Sequence, residues 1–290
     1  MDAARSLFAT PPDVADEALW PLVLLLEGRR CVVLTGAGVS TESGIPDYRG
    51  AASPRRARRP MRWQEFADDE EARRRYWARA VLGWPQMQSA APNPAHVALA
   101  ALERAGSVRG VVTQNVDGLH HKAGSARVVE LHGSLYEVVC LGCGARVSRE
   151  ALQARVLEDN PAWRQLRAEA LPDGDAELSG ALLASFRAPA CLRCSGPLKP
   201  DVVFFGDQVP PSRVAMAGAL VDEAEVLLVA GSSLAVHSGL RFVRRAAARR
   251  VPVVVINLGE TLGDRLATVR VEGRAGDVLP RLARALGALS

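Results

Sequence analysis

Four of the five cysteines stand in two pairs whose spacing is typical of metal ligands. The pairs are Cys140-x2-Cys143 and Cys191-x2-Cys194, whereas Cys31 stands alone among apolar residues. Four thiolates can converge on one tetrahedral Zn²⁺, and a site filled by four cysteines has no open position for substrate or water. Two disulfides are the alternative, but a reducing cytoplasm favours zinc. The sequence therefore predicts a zinc ion that folds a module and does not catalyse.

A loop of small residues, Thr35 to Ser40, follows the first apolar run of the chain. Such a loop lets backbone amides approach a pyrophosphate at a helix N-terminus. Thr41 stands in place of the third glycine of the dehydrogenase fingerprint, and the segment about 20 residues further on is rich in arginine instead of acidic residues. A hydride-transferring enzyme is therefore disfavoured, while a dinucleotide held in another way remains open.

The continuation of this loop, Glu42 to Arg49, combines an acid, an aromatic ring and a guanidinium in a stretch rich in Gly and Pro. Cleavage of a nicotinamide–ribose bond needs hydrogen bonds that hold the dinucleotide and a wall against the departing base. These residue types suit that task, although a structural loop would contain them too.

Two more polar segments follow apolar runs: Thr113 to His120 reads TQNVDGLH, and Glu130 to Ser134 reads ELHGS. His132 stands at the end of a strand pattern and before a glycine, so it suits a general base near neutral pH. A satisfied structural histidine is an equal alternative. The remaining histidines are expected to be packing, surface or capping residues: His96, His120, His121 and His237.

The elements that would position these residues alternate along the chain. Short apolar runs predict buried parallel strands at Cys31 to Leu34, Gly110 to Thr113, Val226 to Val229 and Val251 to Ile256. Helices are expected from the Asn93 cap to about Arg104 and over Ser238 to Arg249. This alternation predicts an α/β fold with a Rossmann-like, doubly wound parallel sheet, whose ligand site lies at the carboxyl ends of its strands.

The alternation lapses in two places. Residues 135–199, which contain the four paired cysteines, are predicted to form a smaller inserted zinc-binding module, and residues 51–92 a helical insertion. Residues 1–134, which include the helical insertion, and residues 200–290 are predicted to form the Rossmann-like NAD-binding domain.

Composition narrows the class of protein further. With 48% hydrophobic and 23% charged residues the chain is typical of globular proteins. The apolar run from Leu22 to Leu26 is too short to cross a bilayer, so we expect no membrane partner. The acidic N-terminal segment resembles neither a signal peptide nor a transit peptide, so we expect a cytoplasmic protein. The basic run Arg55 to Arg59 lacks interleaved aromatics, so no nucleic-acid partner is expected. The sequence leaves the oligomeric state unknown.

Taken in order, the motifs resemble the sirtuin (Sir2) family over about Val32 to Pro280. The segments that carry the resemblance are GAGVSTESGIPDYR, TQNVDGLHHKAG, ELHGS, the two cysteine pairs, KPDVVFFGD, GSSL and INLG. RYWAR, GWPQ, PNPAH and PDGD make the chain most similar to class II, the branch of sirtuin four. The resemblance implies an NAD-dependent protein deacylase that takes acylated-lysine proteins and releases nicotinamide and O-acyl-ADP-ribose.

Position-for-position matching implies roles for individual residues. His132 would be the general base on a ribose hydroxyl, Asn115 and Asp117 would line the nicotinamide pocket, and Gln114 would hold the ribose. The residues implied to contact NAD are Gly36, Ala37, Gly38, Ser40, Glu42, Ile45, Pro46, Asp47, Tyr48, Arg49, Gln114, Asn115, Val116, Asp117, Gly231, Ser232, Ser233, Asn257, Leu258, Gly259 and Ala275. Tyr48 stands where most relatives have Phe, and Asp207 where many have Glu, so an adjusted fit is expected.

Tyr76 and Arg79 form a further candidate site. Their spacing would place a hydroxyl and a guanidinium on one helical face, and it resembles the pair by which class III sirtuins bind acidic acyl groups. A solvated basic run is the alternative.

Two other functions remain open for the sequence. The first is a protein mono-ADP-ribosyltransferase, which keeps the NAD chemistry and changes the acceptor. The second is a catalytically silent NAD-sensing or zinc-based interaction module.

Overall fold

A sheet of six parallel strands is the main element of the fold. The computed structural model describes residues 16–47, 60–166 and 183–289. Its strands are β1 (Cys31–Thr35), β2 (Val108–Thr113), β3 (Val128–Glu130), β4 (Gly133–Cys140), β5 (Arg146–Ser148), β6 (Leu198–Val202), β7 (Val226–Ala230), β8 (Val253–Asn257) and β9 (Val269–Glu272). The parallel sheet has the order β3-β2-β1-β7-β8-β9, and β5-β4-β6 form a separate antiparallel sheet. The predicted α/β fold with a parallel sheet is thus confirmed.

Helices cover both faces of the parallel sheet. The helices of the described residues are α1 (Asp16–Leu26), α2 (Trp63–Asp68), α3 (Glu70–Ser89), α4 (Pro94–Arg104), α5 (Leu119–Lys122), α6 (Arg149–Asp159), α7 (Pro211–Asp222), α8 (His237–Ala248) and α9 (Ala275–Ala285). Apolar residues of α1, α4 and α9 are buried on one side of the sheet, and those of α7 and α8 on the other. Within the described ranges, no helix is long and apolar enough to cross a membrane.

Uninterrupted apolar runs produce the central strands. Every residue of β1, β7 and β8 is buried, as expected for strands with helices on both faces. The strand predicted over Gly110 to Thr113 begins earlier, at Val108, and the strand predicted over Val251 to Ile256 begins later, at Val253. Pro252 has no N–H to donate to a neighbouring strand, which explains the later start.

The start of α4 follows from its cap. The Asn93 side chain accepts hydrogen bonds from the backbone N–H groups of Ala95 and His96, and Pro94 occupies the first helical position. The NH₂ group of the Asn93 side chain donates to the carbonyl of Val39 at 2.7 Å, which fixes α4 against the loop after β1. One polar side chain therefore begins a helix and holds the predicted nucleotide loop.

Cys140 is the last residue of β4 in the smaller sheet, and the other three paired cysteines lie at turns beside this sheet. Apolar residues of the smaller sheet form one cluster with α3 and α6. Between these helices the buried Arg149 guanidinium lies 4.8 Å from the centre of the Trp84 ring and donates to the Ala80 carbonyl at 2.9 Å. Burial lowers the pKa of Arg149 to about 10, so the side chain stays charged near neutral pH. Arg149 thereby connects α3 to the start of α6, which follows β5 of the smaller sheet.

The six parallel strands end at one edge of the large sheet. The chain passes from β1 to β2 on one side, while β7 lies on the other side of β1, which places a switch in strand order between β1 and β7. Ligands of open α/β sheets bind in the crevice at such a point. The predicted polar motifs follow β1, β2, β3, β7 and β8, so the fold brings them to this crevice.

Candidate functional site

A cavity of about 2110 Å³ lies along this edge. The predicted residues that line it are Gly36, Ala37, Gly38, Ser40, Glu42, Ile45, Pro46, Asp47, Gln114, Asn115, Val116, Asp117, His132, Gly231, Ser232, Ser233, Asn257, Leu258, Gly259 and Ala275. Tyr48 and Arg49 lie outside the described residues. Every other residue predicted to contact NAD therefore borders one continuous space.

Glycines bring the loops after β1 and β7 into contact. The Gly38 N–H donates to the Gly231 carbonyl at 2.8 Å, and a Cβ on Gly38 would lie 2.9 Å from that oxygen. Gly231 has φ +58, and a Cβ there would lie 2.4 Å from the Val39 nitrogen. The glycines are needed for this close packing of two loops, in addition to any approach of a pyrophosphate.

Asn115, Ser40 and Asp117 form a buried polar network. The Asn115 amide donates to Ser40 Oγ at 3.0 Å and to the Gly36 carbonyl at 3.1 Å. Ser40 Oγ donates to one Asp117 oxygen at 2.7 Å, and the other accepts from the Leu119 N–H at 3.0 Å. Both carboxylate oxygens of Asp117 are thus held, and the loops after β1 and β2 are joined by side chains predicted to line the nicotinamide pocket.

Two buried histidines lie next to this network, and the sequence analysis did not predict them as site residues. His96 and His120 are 0% and 2% exposed, and their ring centres lie 4.9 Å apart. His120 Nε2 lies 2.9 Å from Thr35 Oγ1, and His96 Nε2 lies 3.5 Å from Ser40 Oγ. The expectation that His120 is a surface or capping residue is wrong, because α5 turns its ring into the interior. His96 is a packing residue, as expected, but it also contacts the polar network.

These two rings are expected to make the fold less stable in acid. Burial lowers the pKa of His96 to about 4, against the opposing effect of Asp117, and lowers that of His120 well below its usual range. Below the unfolded pKa of about 6.5 the unfolded chain binds protons that the native rings do not. The free energy of unfolding therefore falls as pH drops from about 6.5 towards 4, by up to about 1.4 kcal/mol per pH unit for each ring.

Urea unfolding at several values between pH 7 and pH 5 measures this slope. His96→Gln should have a shallower dependence than the wild type, and His237→Gln, which changes an exposed ring at the start of α8, should keep the wild-type slope. Equal slopes for wild type and His96→Gln would contradict the assignment of a neutral buried His96.

His132 lies where β3 ends and β4 begins. Its Nδ1 is 2.9 Å from the Gln114 carbonyl, and since a carbonyl oxygen only accepts, Nδ1 carries the hydrogen of the neutral ring. The Nε2 lone pair then faces the hydroxyl of Ser238, at 2.8 Å. Burial and the nearby Arg213 lower the pKa of His132, while the Gln114 carbonyl raises it. The ring is therefore neutral near pH 7 and can accept a proton at Nε2.

Gly133 explains how the chain holds His132 in this position. Its φ is +85, and a Cβ there would lie 1.8 Å from the Asp201 carbonyl oxygen. The His132 carbonyl accepts a hydrogen bond from the Val203 N–H at 2.8 Å, at the same place where the chain passes Asp201. Only glycine fits this sharp passage from the large sheet into the small one.

Other polar groups of the cavity are held by one another. The Gln114 amide donates to Ser232 Oγ at 2.8 Å, and a Cβ on Gly239 would lie 2.5 Å from Gln114 Oε1. The Asn257 amide donates to the carbonyls of Leu258 and Gly259, at 3.0 and 2.9 Å. The positions of these side chains are therefore set before any ligand arrives.

Glu42 and Asp207 also line the cavity. Glu42 accepts from the backbone N–H of Gly276 at 3.0 Å, in the first turn of α9, where a carboxylate is favoured by the helix dipole. Asp207 lies 3.6 Å from the ammonium of Lys199, which is itself 5.0 Å from the centre of the Phe204 ring. The ion pair and the helix-terminus contact fix the positions of these two carboxylates.

The four paired cysteines converge as the sequence predicts. Their sulfur atoms all lie within 4.8 Å of one another, with Cys140 to Cys194 at 3.5 Å and Cys143 to Cys191 at 3.8 Å. Zinc–sulfur bonds of about 2.3 Å in a tetrahedron require sulfurs about 3.8 Å apart. Backbone N–H groups of Gly142 and Arg193 point at Cys140 and Cys191 and would stabilise thiolates there. The donor set fits zinc.

Tyr76 and Arg79 differ in their relation to the cavity. The Tyr76 ring is buried against Phe66 and Phe204, at 5.4 Å from each, and lines the cavity. Arg79 is half-buried and is not one of the lining residues. The two positions lie about 60° apart around the helix, so the ring and the guanidinium need not meet the same space.

The sequence of the cavity-forming segments matches a known family. Residues 36–238, more than half of the chain, match the Sir2 family. The chain is a sirtuin. This region begins in the first nucleotide loop, ends at the serine that contacts His132, and includes both cysteine pairs.

Similar proteins cover nearly the whole sirtuin chain. An "NAD-dependent protein deacetylase 1" of Mycobacterium avium (strain 104) is 53% identical over 274 residues, which is 92% of this chain and 95% of the relative. An "NAD-dependent protein lipoamidase sirtuin-4, mitochondrial" of Bos taurus is 49% identical over 255 residues, 87% of this chain and 81% of the relative. A solved structure described as "Sir2-p53 peptide-NAD+" is 30% identical with a TM-score of 0.74, covering 93% of this chain and 98% of the other.

Proposed function

We propose that this sirtuin is an NAD-dependent protein lysine deacylase that releases nicotinamide and O-acyl-ADP-ribose. The observation that carries the proposal is the neutral His132, whose Nε2 lies at a cavity lined by the nucleotide loops after β1 and β7. The similarity to proteins named for NAD-dependent deacetylation, and to a sirtuin structure with peptide and NAD, supports the same activity. A deacylase needs both ligands beside one base, and the cavity has room for both.

NAD, when bound, supplies an electrophilic ribose carbon and nicotinamide as its leaving group. The carbonyl oxygen of the acyl-lysine would supply the nucleophile that attacks this carbon as the bond to nicotinamide breaks, and the chain positions these groups and accepts a proton. His132 accepts a proton from a ribose hydroxyl at Nε2, Gln114 holds the ribose, and Asn115 and Asp117 hold the nicotinamide. The pair is suited to the last task because both side chains are buried and fixed through Ser40 before ligand binding.

The cysteine cluster has a structural role in this proposal. Cys140, Cys143, Cys191 and Cys194 would hold zinc within residues 135–199, and residues 1–134 and 200–290 would bind NAD. All four zinc positions are filled by thiolates, so the ion has no open position for substrate. Thiolates persist in a reducing compartment, so we place the enzyme in the cytoplasm.

Product analysis tests the proposal. An acetyl-lysine peptide incubated with the zinc-loaded protein should yield free-lysine peptide, nicotinamide and O-acetyl-ADP-ribose in equal amounts, and nothing without NAD. A protein target that gains the mass of ADP-ribose while the peptide stays acetylated would identify a transferase instead. Absence of nicotinamide release would leave an NAD-sensing or zinc interaction module.

We further propose that the acyl pocket favours an acyl group that ends in a carboxylate. Tyr76 on the cavity wall supports this, together with Arg79 one turn later on α3. A guanidinium forms a charge-assisted fork with a carboxylate that acetyl cannot form.

Arg79→Ala and Tyr76→Phe are expected to lower the ratio of glutaryl-lysine to acetyl-lysine turnover. Each substitution is expected to lower this ratio by about threefold. The effect is small because Arg79 does not line the cavity, and ion pairs in contact with solvent contribute little free energy. The ratio of kcat/KM values on matched peptides measures the effect. Arg75→Ala, on the same helix and paired with Asp69 at 3.5 Å, is the control and should keep the ratio. An unchanged ratio in Arg79→Ala would end the acidic-acyl proposal.

A further inference from the structure

The cavity continues beyond His132 into a groove between α7 and α8. Val214, Ala215 and Gly218 line it from α7, and Ser238, Arg241 and Arg245 line it from α8. The groove begins where the loop after β7 ends, because Ser238 is the second residue of α8, and it extends from there along the two helices. A protein substrate that brings a lysine side chain to His132 must lay its neighbouring residues along a surface of this kind.

The charges of this groove are unevenly paired. Arg245 donates to Asp222 at 2.7 Å, and Arg249 donates to the same carboxylate at 2.9 Å. Arg241 is half-buried and lines the groove, and among residues 16–47, 60–166 and 183–289 no carboxylate lies within ion-pair distance of it. The groove therefore contains a guanidinium whose charge the described part of the chain does not neutralise.

Arg241 lies about one helical turn after the residue that contacts the general base. Ser238, whose hydroxyl contacts His132 Nε2 at 2.8 Å, lies three residues earlier in α8. Helical positions three apart have Cβ atoms about 5–6 Å from each other on one face. An extended peptide advances about 3.3 Å per residue, so a side chain one or two residues from the acyl-lysine is within reach of Arg241.

We propose that Arg241 is a specificity-determining residue that binds an acidic side chain flanking the acyl-lysine of the substrate. The inference rests on the proposed deacylase function and adds the class of protein segment that it takes. A guanidinium forms two parallel hydrogen bonds with a carboxylate, and its half-buried setting weakens competition from water. No sequence motif distinguishes Arg241, because it is one of many arginines in an ordinary helix pattern.

Matched acetyl-lysine peptides test this proposal. One set has Asp or Glu one and two residues from the acetyl-lysine, and the other has Asn or Gln there. The wild type should prefer the acidic set by about fivefold to tenfold in kcat/KM, mainly through KM, and Arg241→Ala should lose that preference while keeping its turnover of the amide set. Arg241→Glu should instead prefer peptides with Lys at those positions.

Arg244→Ala is the matched control, because Arg244 is exposed on the same helix and does not line the groove. It should keep the wild-type preference. Fluorescence anisotropy of labelled peptides without NAD gives a second readout, independent of catalysis. Equal preference in wild type and Arg241→Ala, or no preference in the wild type, would overturn the assignment. If no peptide is deacylated, the proposed function fails, and the anisotropy comparison still decides the role of Arg241.

Discussion

Replacing His132 with alanine is expected to lower kcat by about 10² to 10⁴, the usual contribution of a positioned general base. The neutral ring presents Nε2 to the cavity while Nδ1 is fixed by the Gln114 carbonyl, so the loss removes the proton acceptor and little else. His132 is half-buried and lies at the end of a strand, so the fold and the zinc site should persist. Single-turnover deacylation, with NAD binding measured separately by calorimetry, quantifies the effect.

His121→Ala is the matched control, since it removes an exposed imidazole that is 51% accessible and does not line the cavity. It should retain wild-type turnover. His132→Ala with turnover near that of the wild type would remove His132 from the mechanism. A loss of NAD binding equal to the loss of turnover would assign the ring to ligand binding instead of proton transfer.

Local sequence patterns predicted the elements that frame this site, whereas the roles of its individual residues were implied by the resemblance to sirtuins. The continuous, β-branched apolar runs of β1 and β7 are typical of strands covered on both faces, and parallel strands bring the segments that follow them to one edge. Asn93 followed by Pro94 is a helix start whatever the tertiary context. Two CxxC pairs indicate convergence on a metal because few other arrangements need that spacing.

Contacts between distant segments were not predictable from the same patterns. Ser238 meets His132 across 106 residues of sequence, and His120 meets Thr35 across 85. Neither serine nor histidine carries a local signal that distinguishes a buried partner from a surface residue. The helical period places Tyr76 and Arg79 on one broad face of α3. Which of the two side chains lines the cavity depends on how α3 packs against the rest of the protein, and the helical period does not contain that information.

The same limit applies to the small sheet. Its cysteines were found from spacing, whereas the attachment of α3 through buried Arg149 and Trp84 was not. A charged residue in a polar helix pattern gives no sign that it will be buried beneath an aromatic ring. This attachment has a functional consequence, because α3 also carries Tyr76 on the cavity wall. A change at the zinc site can therefore reach the cavity through α3, and through β4, which begins directly after His132.

Replacing Cys140 or Cys191 with serine is expected to unfold the cysteine-bearing sheet. Structural zinc sites bind with about 10–16 kcal/mol, which is comparable to the whole stability of a domain, about 5–15 kcal/mol. Cys140 and Cys191 are 2% and 7% exposed and belong to the apolar cluster shared with α3 and α6, so the loss of one ligand also disturbs packing. Zinc content, thermal melting and limited proteolysis of the purified variants measure the result.

Cys31→Ala provides the control for these variants. Burial raises the pKa of the Cys31 thiol to about 12, so it is neither a thiolate nor a metal ligand, and it lies in β1, away from the cysteine cluster. This variant should keep one zinc per chain and lose only the stability of a small core truncation. Cys140→Ser with one tightly bound zinc and an unchanged melting temperature would defeat the structural role of the metal. Loss of zinc with a proteolysis pattern confined to the small sheet would instead show that the cysteine-bearing module depends on its ion while the parallel sheet folds without it.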